Sequence, residues 1–296
     1  MVREGDLLVV NTSATLPAAL DGTRADGRPV VVHVATPLAR DRWVVEPRRP
    51  DGRGPETSIG AGERIRVAGG AVLRLDAPYP DAAAPPGRLW RAQVQPPADA
   101  IAYLAAHGRP IAYAYRRGDV TLDELQNVYA LHPGSAEMAS AGRPLTAPLL
   151  VALMARGVAV APVVLHAGVS SPELHEPPAP ERMRVPASTA RLVAATRDGG
   201  GRVVAVGTTV VRALESAIGG GGEPVARRGW TDLVLGPGRP ARIVDGLITG
   251  LHPPEASHLL LLEAVAGRPL VEAAYAEAVT AGYRWHEFGD SMLLLP

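Results

Sequence analysis

Apolar and polar positions follow one rhythm early in the chain and another later. VVVHVAT (30–36), RWVVEP (42–47), RIRVA (64–68), VLRLD (72–76) and LWRAQV (89–94) are short and rich in β-branched residues, and several alternate between apolar and polar. Turn-forming stretches such as DGR and AGG separate them. That period of two, cut into short pieces, predicts a small antiparallel β-barrel or sandwich over residues 17–94. From about residue 98 the pattern lengthens. ADAIAYLAAH (98–107) predicts a helix ended by Gly108, and TAPLLVALMAR (146–156) one ended by Gly157. The strand VAVAPVVLH (158–166) follows, then the apolar run Val203–Val206 with a helix reaching about Ala217. TDLVLGPG (231–238) and RIVDGLITG (242–250) read as strands, 255–266 as a helix, and Pro269 opens a last helix that stops at Gly282. This alternation predicts an α/β fold. LLVVN (7–11) fits the same sheet, so residues 1–16 and 95–296 form an α/β sandwich domain into which the small antiparallel β-barrel is inserted.

Composition narrows the class. With 296 residues, 47% of them hydrophobic, the chain can bury the cores of two globular domains. No apolar run reaches the roughly 20 residues of a membrane helix, and Glu4 and Asp6 before LLVV do not make a signal peptide. Cysteine is absent, which removes disulfides, thiolate catalysis and cysteine–zinc sites. Together these features predict a cytoplasmic enzyme. The 30 basic and 30 acidic residues cancel, and every basic residue is arginine, so lysine Schiff-base and P-loop chemistry are also excluded. Any nucleic-acid footprint must therefore be local. Arg24, Arg28, Arg40, Arg42, Arg48, Arg49 and Arg53 gather in the barrel region, interleaved with Asp21, Asp26, Asp41, Glu46 and Asp51. They form either a solvated mixed-charge surface or a phosphate-contacting face.

The densest candidate chemistry is VGTTVVRALES (206–216). Thr208 or Thr209 can cap the helix, which accounts for one threonine. It does not account for the other, or for Arg212 about one turn inside. Ligands of open α/β sheets bind at the carboxyl ends of strands, and a helix N-terminus favours an anion. Gly207, Thr208, Thr209 and Arg212 are thus a candidate anion-binding mouth, with Glu215 bracing Arg212 or facing the ligand. The alternative is that Arg212 pairs with a carboxylate buried in the fold. His166 closes one strand and His252 follows another, as acid–base or as structural residues. SAEMASAGRPLT (135–146) places Glu137, Ser140 and Gly142 before a helix, suiting close backbone approach to a ligand or a plain loop and N-cap. In GWTDL (229–233), Trp230, Thr231 and Asp232 suit a purine or ribose, or form a strand-entry turn. Gly289-Asp290 can be a turn. No histidine pair has metal-ligand spacing, so no metal is expected.

Taken together, GDLLVVN (5–11), VYALHPG (128–134), Ser140-Ala141-Gly142, VGTTVVRALES, GWTDL, GRPLVEAAYAEAVTAGY (267–283) and FGDSM (288–292) resemble, in order, the motifs of the S-adenosylmethionine:tRNA ribosyltransferase-isomerases of queuosine biosynthesis. The resemblance implies an α/β domain carrying a β-barrel, S-adenosylmethionine as co-substrate and tRNA as partner. The implied reaction transfers and isomerises the ribosyl part of S-adenosylmethionine onto 7-aminomethyl-7-deazaguanine in tRNA, forming epoxyqueuosine and releasing adenine and methionine. Such chemistry needs acid–base groups of modest pKa and neither metal nor thiol. His166, His252 and Glu137 are the catalytic candidates. Gly207, Thr208, Thr209, Arg212, Glu215, Trp230, Thr231, Asp232, Ser140 and Gly142 are the S-adenosylmethionine-binding candidates, with the methionine carboxylate in the Thr208–Arg212 mouth.

Several positions depart from the family pattern. Its N-D-T-R stands here as Asn11-Thr12-Ser13-Ala14, and its A-G-L-H-F-T as Ala141-Gly142-Arg143-Pro144-Leu145-Thr146. After His166-Ala167-Gly168 its G-T-F is Ser170-Ser171-Pro172, and of E-H-x-M-H-x-E there remains Glu181-Arg182-Met183, followed by Arg184. The family's opening segment with R-D-x-S-R-L-L has no counterpart in this sequence. These losses keep open a relative that uses S-adenosylmethionine on a different acceptor, or a non-catalytic binding module.

Overall fold

The computed structural model describes residues 1–85, 87–112, 120–169, 176–253, 256–285 and 288–296. Its first strand, β1 (Leu7–Asn11), is central to the main sheet, and β2 (Ser13–Thr15) leads out of it. The chain then builds β3 (Ala19–Arg24), β4 (Pro29–Ala39), β5 (Arg42–Arg48), β6 (Arg64–Val67), β7 (Val72–Pro78) and β8 (Trp90–Gln95). α1 (Ala100–His107), β9 (His132–Ser135), α2 (Ala147–Ala155), β10 (Ala159–Leu165), β11 (Glu181–Val185), α3 (Ala187–Asp198), β12 (Val203–Val206) and α4 (Thr208–Ser216) follow. The chain ends with β13 (Arg227–Thr231), β14 (Gly246–Gly250), α5 (His258–Ala266), α6 (Arg268–Thr280) and β15 (Ser291–Leu294).

The main sheet runs β13-β11-β10-β1-β12-β14-β15, with β10, β1, β12 and β14 parallel and the outer strands antiparallel. A strand covered on both faces needs apolar residues at every position, which is why LLVVN shows no alternation. Leu7 and Val9 pack on one face with α3, α4, α5 and α6 through Val193, Val210, Leu261 and Val271. Leu8 and Val10 pack on the other face, against Ala141, Leu145, Leu150 and Leu153. The result is the expected α/β sandwich.

β3 to β8 close into a barrel in the order β3-β4-β5-β8-β7-β6, with β6 paired back to β3. In β6 and β7, Ile65, Val67, Leu73 and Leu75 point into a core that holds Trp43 and Trp90, while Arg64, Arg66 and Arg74 stay outside. Gly22 lets β3 pass close to β6, where a Cβ would sit 3.0 Å from Ile65 and 3.2 Å from the Arg66 carbonyl. That glycine, in ALDGTR, is also what hides β3 in the sequence. Two of the barrel arginines are no phosphate face. Arg48 is buried beside Glu46, and Arg24 is buried beside Glu63. Arg40, Arg42 and Arg49 are exposed.

Asn11 ties β1 to β10 at the carboxyl end of the main sheet. Its Nδ2 donates to the Leu165 carbonyl at 2.9 Å, and its Oδ1 accepts from Leu165 N (3.0 Å) and Ser13 N (3.1 Å). The side chain thus satisfies backbone groups where β1 and β10 both leave the sheet, a buried position in which unpaired amides would be costly.

Four elements differ from the sequence expectation. ERMRV, polar at alternate positions, is strand β11, with Met183 and Val185 inside and Arg182 and Arg184 outside. β13 is the polar RRGWT, and TDLVLGPG leaves the ladder after Thr231, although Leu233 and Leu235 still plug the core. RIVD is not strand either, because the amides of Arg242, Ile243 and Val244 donate to the Glu215 carboxylate at 2.9, 2.8 and 3.0 Å instead of to a neighbour. α3 was also not anticipated. Ser170-Ser171-Pro172 and Glu255, the first residue of the helix expected over 255–266, lie outside the described residues. Among the described residues no helix is long and apolar enough to cross a membrane.

Candidate functional site

A cavity of about 330 Å³ lies between the barrel and the carboxyl ends of β10, β12 and β14. Ala167–Val169, Gly207–Thr209 and Thr249–Pro253 contribute from the three strand ends, and Thr36, Val44, Tyr79 and Arg88 from the barrel side. The location matches the strand-end rule for α/β sheets. Of the anticipated residues, Glu137, Ser140, Gly207, Thr208, Thr209, Arg212 and His252 line it.

The turn into α4 differs from the expected cap. Gly207, at φ 94° and ψ 154°, occupies the N-cap position, and neither threonine side chain caps the helix. A residue with a Cβ strains at this φ, and its Cβ would also crowd Ala141 at 3.3 Å. Both hydroxyls are thereby released from capping. Thr209 accepts from Asn11 Nδ2 at 3.2 Å, and Thr208 faces the cavity.

Arg212 is only 5% exposed. Nε donates to the Leu233 carbonyl (3.1 Å), Nη2 to those of Thr231 (3.3 Å) and Ala179 (3.4 Å), and Nη1 to the Glu181 carboxylate. Four of its five N–H donors are thus committed to the protein, leaving no fork for bidentate pairing with a ligand carboxylate. Arg212 therefore braces the mouth. Its carboxylate partner is Glu181, not Glu215, which is occupied with the 242–244 amides one turn further along. Glu181 also accepts from Gly168 N at 2.9 Å. Burial pushes the Glu181 carboxyl up from its ordinary pKa, against the pull of Arg212 and of the Gly168 amide. A carboxyl so perturbed, on a cavity wall, is a functional candidate that the sequence pattern did not offer.

His252 lies at the mouth. Its Nε2 is 3.0 Å from the Thr249 hydroxyl, and its amide donates to the Tyr275 hydroxyl at 2.9 Å. The ring stacks on that of His258, with centroids 4.5 Å apart and planes 3° from parallel. Burial, reinforced by Arg212, holds the His258 pKa below the ordinary value. His258 was also missed, although a lone histidine opening the apolar run HLLLLEAVA was a signal. Arg88 was missed as well, and nothing in its local sequence marks it. It reaches from the barrel, with Nη1 on Glu46 (3.1 Å), to Glu176 (Nε, 2.8 Å) and the Val169 carbonyl (Nη2, 3.2 Å).

The remaining candidates do not line the cavity. His166 Nδ1 is 2.8 Å from the Ser13 hydroxyl, which is 2.6 Å from that of Ser135, and the Ser135 oxygen accepts from Ala167 N at 3.0 Å. Burial, with Arg182 and His132 nearby, pulls the His166 pKa down to about 4. Gly142 lies under Tyr129 and Asn127, where a Cβ would collide with the tyrosine hydroxyl. Thr231 bonds to the Ser216 hydroxyl at 2.5 Å and accepts from Leu233 N, Asp232 is exposed, and Trp230 lies beneath the Arg182 guanidinium at 5.3 Å. Among the described residues, no three of His, Cys, Asp or Glu are grouped to hold a metal ion.

Arg212→Ala leaves a buried carboxylate and three carbonyls without their donor, so the ligand-free protein should lose about 3–5 kcal/mol in urea unfolding. Arg212→Lys should recover part of this, because an ammonium cannot span the same acceptors. Unchanged stability would refute the bracing role. A histidine whose folded pKa is depressed stays neutral while the unfolded chain takes up its proton. Its contribution is therefore complete above about pH 6.5 and is lost as pH falls toward about 4. His166→Gln should make unfolding less pH-dependent in that window, as read from urea titrations at pH 7 and pH 5.

Comparison with known proteins places this geometry in context. A family model described as "Queuosine biosynthesis protein" matches residues 1–294. A protein of Gloeobacter violaceus is 36% identical over 312 residues, covering all of this chain and 83% of its own length. One of Acidithiobacillus ferrooxidans is 38% identical over 311 residues (100% and 85%), and one of Heliobacterium modesticaldum is 36% identical over 313 (100% and 86%). All three are named S-adenosylmethionine:tRNA ribosyltransferase-isomerase. A crystal structure of the S-adenosylmethionine tRNA ribosyltransferase of Thermotoga maritima aligns over 99% of this chain and 84% of that one, at 28% identity and a TM-score of 0.48. With a family model spanning almost its whole length and relatives at this identity over all of it, the chain belongs to the queuosine biosynthesis protein family.

Proposed function

We propose that this protein is a cytoplasmic S-adenosylmethionine:tRNA ribosyltransferase-isomerase, acting on 7-aminomethyl-7-deazaguanine in tRNA and releasing adenine and methionine. The observation that carries the reading is the cavity at the α4 start, walled by strand ends and barrel and holding carboxyl and imidazole groups. S-adenosylmethionine is the co-substrate. Its methionine carboxylate rests against the N-terminal amides of α4 and the Thr208 hydroxyl, where the helix end favours an anion. The positive sulfonium lies toward the Glu137 and Glu181 side of the cavity.

The acceptor amine gains a C–N bond as it loses a proton. The ribosyl carbons close into a ring through a new C–C bond, and the ring oxygen shifts to form the epoxide, while the glycosidic bond to adenine and the carbon–sulfur bond to methionine break. A base must take a proton from the carbon beside the sulfonium, and a proton must reach the leaving adenine. His252, lining the cavity and held by Thr249, and the adjacent His258 are the acid–base pair, with Glu137 as the second carboxyl. His166 acts through others. As a neutral imidazole tied to Ser13 and Ser135, it positions the Ala167–Val169 wall. Glu215, Gly142 and Thr231 hold the frame behind the site. Residues 17–94 form the barrel unit, and 1–16 with 95–296 the α/β unit.

Incubation with S-adenosylmethionine, with and without tRNA bearing the deazaguanine base, tests the reading. Adenine should appear only with the tRNA. Adenine without it would mean another acceptor or a lyase, and none under either condition would mean a binding module.

The tRNA backbone meets exposed arginines, Arg40, Arg42 and Arg49 on the barrel. Each phosphate neutralised contributes about 0.7–0.9 to the slope of log affinity against log salt. Replacing these three with serine should therefore reduce the slope by roughly 2–3, whereas an unchanged slope would remove the barrel from the interface.

A further inference from the structure

A second cavity, of about 250 Å³, adjoins the first. Ser140 and Gly250 line both, so the two spaces meet at these residues. Its far wall is built by FGDS (288–291), a motif that the reading above leaves without a role. Gly250 pairs with Ser291 across β14 and β15, so the wall is fixed to the end of the same strand that carries Thr249 and His252 to the first cavity.

Three groups give this second space a chemical character. Phe288, the chain's sole phenylalanine, is 37% exposed instead of packed in either core. The Arg143 guanidinium lies 4.1 Å from its ring centroid, which makes a flat, cation-topped aromatic surface. Asp290 supplies a carboxylate whose place is set by the backbone. Its Oδ2 accepts from Arg284 N and its own amide donates to the Arg284 carbonyl, both at 2.8 Å. Gly289 permits this approach, because a Cβ there would lie 2.3 Å from that carbonyl.

An aromatic or guanidinium plane takes the face of a nucleobase. An ionised carboxylate only accepts hydrogen bonds, through two oxygens side by side. The edge of a guanine-type ring offers a ring N–H beside an exocyclic amino group, two donors that match it. An adenine edge offers one donor beside an acceptor, so one carboxylate oxygen would face a lone pair. The wall therefore discriminates between the two.

We propose that the second cavity seats the acceptor base, a guanine-type ring stacked at Phe288 with its two edge donors on Asp290, and that its amine reaches the first cavity past Ser140 and Gly250. The assignment rests on the transferase reading for what the first cavity holds, but the base site itself can be tested without turnover.

Two conservative variants serve. Asp290→Asn keeps an oxygen for the Arg284 amide while removing the charge and the second acceptor, and Phe288→Leu keeps apolar bulk without the ring. Equilibrium binding of the free nucleoside of 7-aminomethyl-7-deazaguanine, with adenosine as control, is measured beside calorimetry with S-adenosylmethionine. The wild type should prefer the deazaguanine nucleoside, and Asp290→Asn should weaken it about ten- to a hundredfold, as for loss of a bidentate base contact. Phe288→Leu should weaken both nucleosides, and S-adenosylmethionine affinity should stay within about twofold in each variant. With modified tRNA, KM should rise more than kcat falls. Nucleoside affinity equal in wild type and both variants would overturn the proposal, as would loss of S-adenosylmethionine affinity in parallel with loss of base binding. If the nucleoside results hold but tRNA yields no adenine, the transferase reading fails and the base site stands.

Discussion

The candidate site depends on a buried ion pair between residues 31 positions apart. Arg212, on α4, and Glu181, at the start of β11, meet where the 231–233 and 168 segments also converge. Two charges removed from water repay their desolvation only if the remaining donors and acceptors are satisfied. Arg212 meets this with three carbonyls, and Glu181 with the Gly168 amide. Leu233, Ala179 and Gly168 lie outside any ladder, and Thr231 is the last residue of β13. The pair therefore orders the cavity wall by giving irregular backbone somewhere to bond.

Glu215 repeats this arrangement three residues along the same helix. It gathers three successive amides of 242–244 and so delivers the chain to β14 in register. The helix in VGTTVVRALES thus presents two side chains that organise loops behind the site, and its N-terminus with Thr208 and Thr209 toward the cavity. One short stretch carries scaffold and candidate ligand contact on different faces. That division answers why it holds more polar chemistry than a cap requires.

The barrel, the central strand and the alternation of helix and strand were legible because each depends on local periodicity. LLVVN is apolar throughout since both its faces are covered, and RIRV and VLRLD alternate since one face is wet. What was not legible depends on distant partners. ERMRV and RRGWT are polar enough to pass for loops, and only pairing with each other and with β10 makes them strands. RIVD looks like a strand and is not, because a carboxylate from α4 takes its amides. Among site residues, the cluster at 207–212 was visible by composition, but the partner of Arg212 was not. No spacing rule connects positions 181 and 212. His258 and Arg88 reach the cavity through tertiary packing alone.

The departures from the family pattern acquire a different weight once their positions are known. Arg182 and Arg184 lie on the outer face of β11, opposite Trp230 and Arg228, while Met183 and Val185 fill the core. Neither arginine lines the cavity, and of that segment only Glu181 does. Ser13, in the altered Asn11-Thr12-Ser13-Ala14, occupies a buried hydrogen-bond chain with Ser135 and His166. These substitutions alter the wall's support and the outer surface, not the groups that face the first cavity. Pro144 differs, since it borders the second cavity together with Arg143. An argument for a changed acceptor must therefore be made there. At that place the wall carries an aromatic ring and a fixed carboxylate from the matching FGDSM motif, with a guanidinium that the altered motif itself brings as Arg143. Among the described residues, the altered motifs thus leave the first cavity its carboxyl and imidazole groups, and the positions that differ at the second cavity, Arg143 and Pro144, stand beside the Phe288 ring and the Asp290 carboxylate.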